Sequence, residues 1–200
     1  MALSISSSQL EKVGAQKKDA GASSQKTESS KASSSSGAIQ KCPLACSMTS
    51  VSENGLKFIA SWEKGPHAGP ALIPYNDKFG YMTIGYGHKI LPGEDFKNGI
   101  TEDEAMELFK KDIAERIKIV NGLVKVPLNQ NQFDALVSYV YNTGSLEGTH
   151  LLNNLNNSDF DAAVKEMDIV KSNGEVVRGL VLRRDAEHEI FKGGEYQIHK

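Results

Sequence analysis

Residues 72–76 and 81–86 are rich in β-formers and flank the turn-prone Asp77-Lys78-Phe79-Gly80, in a chain whose other apolar residues fall at helical spacing. Two such runs around a short turn read as a β-hairpin with a four-residue connection. Because this is the one clear strand signal, the expected fold class is α+β, mostly helical with a small N-terminal β-hairpin lobe. The hairpin places Asp77 and Thr83 where both can face one cleft.

Helical signals lie on both sides of it. Ser50-Val51-Ser52-Glu53 has the form of a capping box, and Leu56, Ile59, Ala60 and Glu63 then fall on one helical face. Gly65 and Pro66 stop that helix, which leaves Glu63, a carboxylate on an apolar face, in its last turn. Thr101 and Glu104 form a second capping box and open a long helix to about residue 121, with Ala105, Leu108, Phe109, Ile113, Ile117 and Val120 inward. A helix over 128–143, with Phe133, Leu136, Val137 and Val140 on one face and Gly144 as its stop, is the expected core. Shorter helices are expected over 149–155 and 158–169. The last runs over about 178–192 and carries Arg183 and Arg184.

Composition divides the chain. Residues 1–49 hold no aromatic side chain and include the tract Ser33-Ser34-Ser35-Ser36. Such a stretch buries too little apolar area to offset its ordering entropy. Residues 1–49 are therefore expected to be a Ser/Lys-rich disordered leader or tether, 50–194 the catalytic domain and 195–200 a C-terminal tail. The formal net charge of −2, with no basic stretch interleaved with aromatics, argues against a nucleic-acid partner. No apolar run is long enough to span a bilayer, and the first residues lack the features of a classical signal peptide. Cys42 and Cys46 would close only a tiny loop and have no second pair to complete a zinc site, so no metal and no cofactor is expected.

Hydrolysis of a glycosidic bond needs one carboxylic acid to protonate the leaving oxygen and one carboxylate to steady the sugar cation or activate water. Glu63 and Asp77 fit those tasks, and the Thr83 hydroxyl, across the hairpin, could hold the attacking water. A glutamate and an aspartate this close also occur in many proteins as an ion-pair residue and a turn residue. The words around them are more specific than their spacing. Glu63-Lys64-Gly65, Tyr75-Asn76-Asp77-Lys78-Phe79-Gly80, Thr83-Ile84-Gly85-Tyr86-Gly87-His88, Asn131-Gln132-Phe133-Asp134-Ala135-Leu136-Val137-Ser138, Tyr141-Asn142-Thr143-Gly144 and Gly179-Leu180-Val181-Leu182-Arg183-Arg184 closely resemble the phage-type lysozymes. These are the endolysin muramidases of glycoside hydrolase family 24.

The resemblance covers about residues 51–193. It implies a lysozyme-like domain with a cleft between a small hairpin lobe and a helical lobe, and an active site at Glu63, Asp77 and Thr83. It further implies inverting cleavage of the β-1,4 bond between N-acetylmuramic acid and N-acetylglucosamine. Residues 67–70 form an insertion relative to compact members. Tyr86 either lines the sugar cleft or fills the core, while Gln132 and Asn142 are candidates to present amides to acetamido groups. His88, ending a strand after glycines, is expected to be a hydrogen-bonded structural residue, and Arg183 and Arg184 to pair with helical carboxylates near Glu63.

The expected partner is peptidoglycan, met in the periplasm by a protein made in the cytoplasm. Two settings share this chemistry: a phage or prophage endolysin, or an antibacterial effector whose leader engages a secretion machine and which has an immunity protein as partner. A non-catalytic wall-binding module of the same fold is the alternative of another class.

Overall fold

The computed structural model describes residues 48–63, 65, 69–77, 79–167, 171–172 and 175–199. The expectations for the leader, for Cys42 and Cys46 and for the start of the 67–70 insertion lie outside these residues. Helix α1 (Glu53–Trp62) precedes a meander of β1 (Ala71–Asn76), β2 (Met82–Gly85) and β3 (His88–Lys89). Then follow α2 (Glu102–Leu123), α3 (Gln130–Thr143), α4 (His150–Asn156), α5 (Phe160–Lys165), β4 (Lys171–Ser172), β5 (Glu175–Val176) and α6 (Arg178–Phe191). The mostly helical α+β architecture with an early hairpin lobe is as the sequence indicated. The small β4–β5 ladder was not anticipated, because Lys171 to Gly174 reads as a simple helix breaker.

Helix α3 is buried at every position from Phe133 to Thr143, and α1, α2 and α6 pack on it. A helix covered on all sides has no polar face to spare, so the polar residues it carries must be satisfied inside the protein. Its start is fixed by a capping box of Asn129 and Gln132, and its end by Gly144 at φ 89°, a left-handed conformation that glycine adopts without penalty.

The N-cap of α1 is Ser52 rather than the expected Ser50. Ser52 Oγ accepts from Gly55 N at 3.0 Å, while the Ser52 backbone N–H donates to Asp134 Oδ1 at 3.1 Å and its hydroxyl donates to Asp134 Oδ2. A buried carboxylate contributed by α3 thus selects the cap, which no local pattern could show. The crossing is close enough that a Cβ at Gly55 would lie 2.6 Å from Asp134 Oδ2.

Helix α2 opens at the Thr101–Glu104 capping box, as expected, and buries Ala105, Phe109, Ile113 and Val120, with Leu108 and Ile117 half-buried. It packs against all three strands of the meander and against α3, so it carries the hairpin lobe on the helical body. In the meander, Tyr75 pairs with Thr83, Asn76 with Met82, Thr83 with Lys89 and Ile84 with His88. The register of β1 is irregular between Ala71 and Tyr75, where Pro74 cannot donate to a ladder. Among the described residues no helix is long and apolar enough to cross a membrane.

Residues 195–199, expected as a tail, lie along α1. The Tyr196 ring meets Phe58 edge-on at 6.4 Å and its hydroxyl donates to Asp134 Oδ2 at 2.8 Å. His199 stacks on Trp62 with ring centroids 4.1 Å apart. Burial, followed by the bond to Asp134 and its charge, pushes the Tyr196 hydroxyl up to about 12. Tyr196→Phe removes one donor from Asp134 and is expected to cost about 1 kcal/mol, or roughly 2–4 °C in a thermal melt; an unchanged melting temperature would show that this bond adds nothing to stability.

Candidate active site

Glu63 is the C-cap of α1, its backbone N–H bonded to Ala60 O. The side chain is 1% exposed. Arg183 Nη1 donates to Glu63 Oε1 at 2.5 Å, whereas Oε2 has no hydrogen-bond partner among the described residues. The same guanidinium donates from Nε to Glu187 Oε1 at 3.1 Å and from Nη2 to the Ser138 carbonyl at 3.2 Å. Ser138 Oγ donates to Glu187 Oε1 at 2.6 Å, and Arg184 Nη2 donates to the same oxygen at 3.0 Å. Two buried arginines thereby face two buried glutamates, and the cost of removing each group from water is offset by its hydrogen bonds to the others. Burial alone would pull Arg183 down, but the charges of Glu63 and Glu187 outweigh it and hold Arg183 above the ordinary arginine value. The expectation that these arginines pair with carboxylates near Glu63 is met.

The hairpin connection runs from Asp77 to Tyr81, one residue longer than read from sequence, because Asn76 pairs with Met82 and leaves Tyr81 in the turn. The Asp77 side chain explains the difference. Its Oδ1 accepts from Phe79 N at 2.9 Å and Tyr81 N at 2.8 Å, and its backbone N–H donates to Tyr81 O at 2.9 Å. These bonds fix one oxygen and leave Oδ2 unengaged by any described residue. Thr83, 3% exposed, donates from Oγ1 to Tyr81 O at 3.0 Å, so the lone pairs of its hydroxyl remain as acceptors.

Tyr75 joins the hairpin to α1. It sits opposite Thr83 in the ladder, and its hydroxyl is raised first by burial and then by the charges of Asp77 and Glu63. Both carboxylates are therefore within electrostatic reach of one phenol. Tyr141, from α3, backs the same place: its hydroxyl donates to Tyr86 O at 2.8 Å, and burial, then the charges of Glu63 and Asp112, push it well above the ordinary tyrosine value. The sequence reading missed Tyr75 and Tyr141. Tyr75 was within reach of it, since a hairpin register that pairs Tyr75 with Thr83 puts both on one face.

The remaining candidates stand elsewhere. The Tyr86 ring lies 5.0 Å from Phe109 and, only partly buried, packs against the core cluster. Gln132 Oε1 accepts from Asn129 N at 3.0 Å and so serves the cap at the start of α3. Asn142 is 1% exposed and accepts from Arg184 Nη2 at 3.2 Å; the helix cap is Gly144, and this amide faces the buried charges rather than a cleft. Tyr75, Asp77 and Thr83 share the hairpin and Glu63 lies within electrostatic reach of Tyr75, whereas Gln132 and Asn142 are bonded elsewhere.

Comparison with known proteins agrees with this frame. The profile of the family described as Phage lysozyme matches residues 66–187. The chain is 38% identical over 150 residues to the endolysin of Bacillus phage B103, a match covering 72% of this chain and 55% of that protein. It is 36% identical over 149 residues to the endolysin of Acyrthosiphon pisum secondary endosymbiont phage 1, covering 71% of this chain and 97% of that protein. Among solved structures, the endolysin from Escherichia coli O157:H7 phage FAHEc1 aligns with a TM-score of 0.64 at 29% identity, covering 74% of this chain and 96% of that one. The muramidase domain of SpmX from Asticaccaulis excentricus aligns with a TM-score of 0.61 at 30% identity, covering 72% and 98%.

His88 holds the hairpin lobe to α2. It is 9% exposed, with Nδ1 3.0 Å from both Asp112 oxygens and Nε2 2.9 Å from Glu94 Oε2. Burial opposes charging this ring, but the bonds and charges of Asp112 and Glu94 together outweigh it and raise the imidazole above its ordinary value. A group raised on folding stabilises fully below its unfolded pKa, here about 6.5, and loses that contribution as pH climbs through the folded one. His88→Gln is therefore expected to cost roughly 1.5–3 kcal/mol near pH 6. The deficit narrows toward alkaline pH; melts across pH 5.5 to 9 that show a constant or growing deficit would refute this account.

Proposed function

Since the chain belongs to the phage lysozyme family, we propose that it is a peptidoglycan muramidase of the endolysin kind, cleaving the β-1,4 bond between N-acetylmuramic acid and N-acetylglucosamine. The observation that supports this reading is a pair of carboxylates in unlike surroundings, both within electrostatic reach of one phenol. Glu63 is buried against Arg183, and Asp77 is knitted into a turn with one oxygen to spare.

In this reading Glu63 Oε2, the oxygen without a protein partner, carries the proton to the leaving O4 as the C1–O4 bond breaks. Asp77 Oδ2 faces the cation that develops at C1 and takes a proton from water. Thr83 Oγ1, with lone pairs to spare, holds that water for attack on the opposite face of the ring, which inverts C1. Tyr75 lies within electrostatic reach of both carboxylates. The protein is made in the cytoplasm and acts on peptidoglycan in the periplasm.

The Ser/Lys-rich composition of residues 1–49 favours a second setting for the same chemistry, delivery into a target cell with that leader as docking tether and an immunity protein as partner. Deleting residues 1–49 tests it: an endolysin keeps both wall hydrolysis and lytic action, whereas a delivered effector keeps hydrolysis and loses delivery.

Glu63→Gln retains an oxygen for Arg183 and is expected to keep the fold while lowering clearance of purified cell walls by about 10²–10⁴-fold. Asp77→Ala is expected to do the same with some loosening of the turn. Wild-type clearance by a folded Glu63→Gln variant would remove Glu63 from the role of acid, and clearance by both variants would overturn the enzymatic reading.

A further inference from the structure

Across the three strands of the meander, Tyr75, Thr83 and Lys89 stand in directly opposed register. Opposed residues share a face, and Tyr81, the last residue of the turn before β2, comes to its Lys89 end. The side chains agree with the backbone: Lys89 Nζ lies 4.1 Å from the centroid of the Tyr81 ring. Tyr81 is 43% exposed, although it is one of the larger apolar surfaces of the domain. Lys89 forms no ion pair with a described carboxylate, while Lys57, Lys97, Lys110 and Lys118 each do. The hairpin lobe thus presents a flat ring and an ammonium whose donors are not taken up by an acid.

The row starts at the paired carboxylates and ends at this ammonium. Two interstrand spacings separate Tyr75 from Lys89, about 10 Å, which is roughly the length of one disaccharide repeat. A peptidoglycan strand laid across the row with its scissile bond at Glu63 and Asp77 would bring the next muramic residue to Tyr81 and Lys89. That residue carries, through its lactyl group, a peptide stem with free carboxylates. A glycan stripped of stems offers only neutral sugars there.

We propose that Tyr81 and Lys89 form a subsite for a stem-bearing muramic residue, the ring packing on the apolar face of the sugar and the ammonium pairing with a stem carboxylate. This deepens the muramidase reading and rests on it. An ammonium held over a ring face, unlike one on a free surface stalk, is already restricted, so less side-chain entropy is lost when the carboxylate arrives. The predicted contribution is to substrate choice, since neither group touches the bond that breaks.

The test compares the full-length protein on two soluble substrates: glycan strands with their peptide stems, and the same strands after an amidase has removed the stems. Wild type is expected to favour the stem-bearing strands in kcat/KM. Lys89→Met should lower kcat/KM on stem-bearing strands by about 10-fold, mostly through KM, and change stripped strands less than about 2-fold, as for the loss of one charge-assisted contact. Lys89→Arg should keep most of the preference. Tyr81→Leu should weaken both substrates, because the ring meets sugar in each. A Lys89→Met variant that leaves the preference intact, or that loses equally on both substrates, overturns the subsite. Wild type that hydrolyses neither substrate overturns the muramidase reading itself, and so is distinguishable from failure of the subsite alone.

Discussion

Arg183 is the side chain on which the arrangement of the molecule turns. Its guanidinium reaches from α6 to Glu63 at the end of α1, to Glu187 on its own helix and to the Ser138 carbonyl of α3. Three helices distant in sequence are referenced to one planar group, whose fork geometry tolerates little displacement. The same contact explains how a carboxylate can be 1% exposed at the last turn of a helix without solvation. Removing either partner would strand a charge inside the protein, a loss of about 3–5 kcal/mol. Position and ionic balance are therefore set by a single group, and the site inherits its precision from the core.

The second carboxylate is built by opposite means. Among the described residues no buried cation pairs with Asp77; two backbone N–H groups of its own turn hold one oxygen. Glu63 answers to tertiary packing and Asp77 to local hairpin geometry, and α2, packed against both the strands and α3, joins the lobe that carries one to the body that carries the other. His88, clasped between Glu94 and Asp112, ties the meander to that helix from the other side. The division between proton donor and anionic stabiliser proposed above would rest on these two environments of different origin.

Features that depend on a few neighbouring residues were legible in the sequence. The Thr101–Glu104 capping box, the Gly144 stop, the apolar faces of α2 and α3 and the hairpin itself all follow from local rules. So did the pairing of Arg183 with the neighbourhood of Glu63, since a cation beside a helical acid is a common solution. What escaped depends on distant partners. Ser52 displaced Ser50 as the cap because Asp134, 82 residues on, supplies the buried acceptor. Asn142 looked like an amide on offer, yet the identity of α3 as a helix covered on all sides commits that amide to Arg184. The docking of residues 195–199 on α1 likewise rests on Phe58, Trp62 and Asp134, which no pattern at the end of the chain announces.

Glu63 Oε2 is buried and has no hydrogen-bond partner among the described residues. On the reading proposed above, the leaving oxygen of a bound sugar would be a partner for this atom, so that substrate would complete a hydrogen-bond network that the described residues leave one member short.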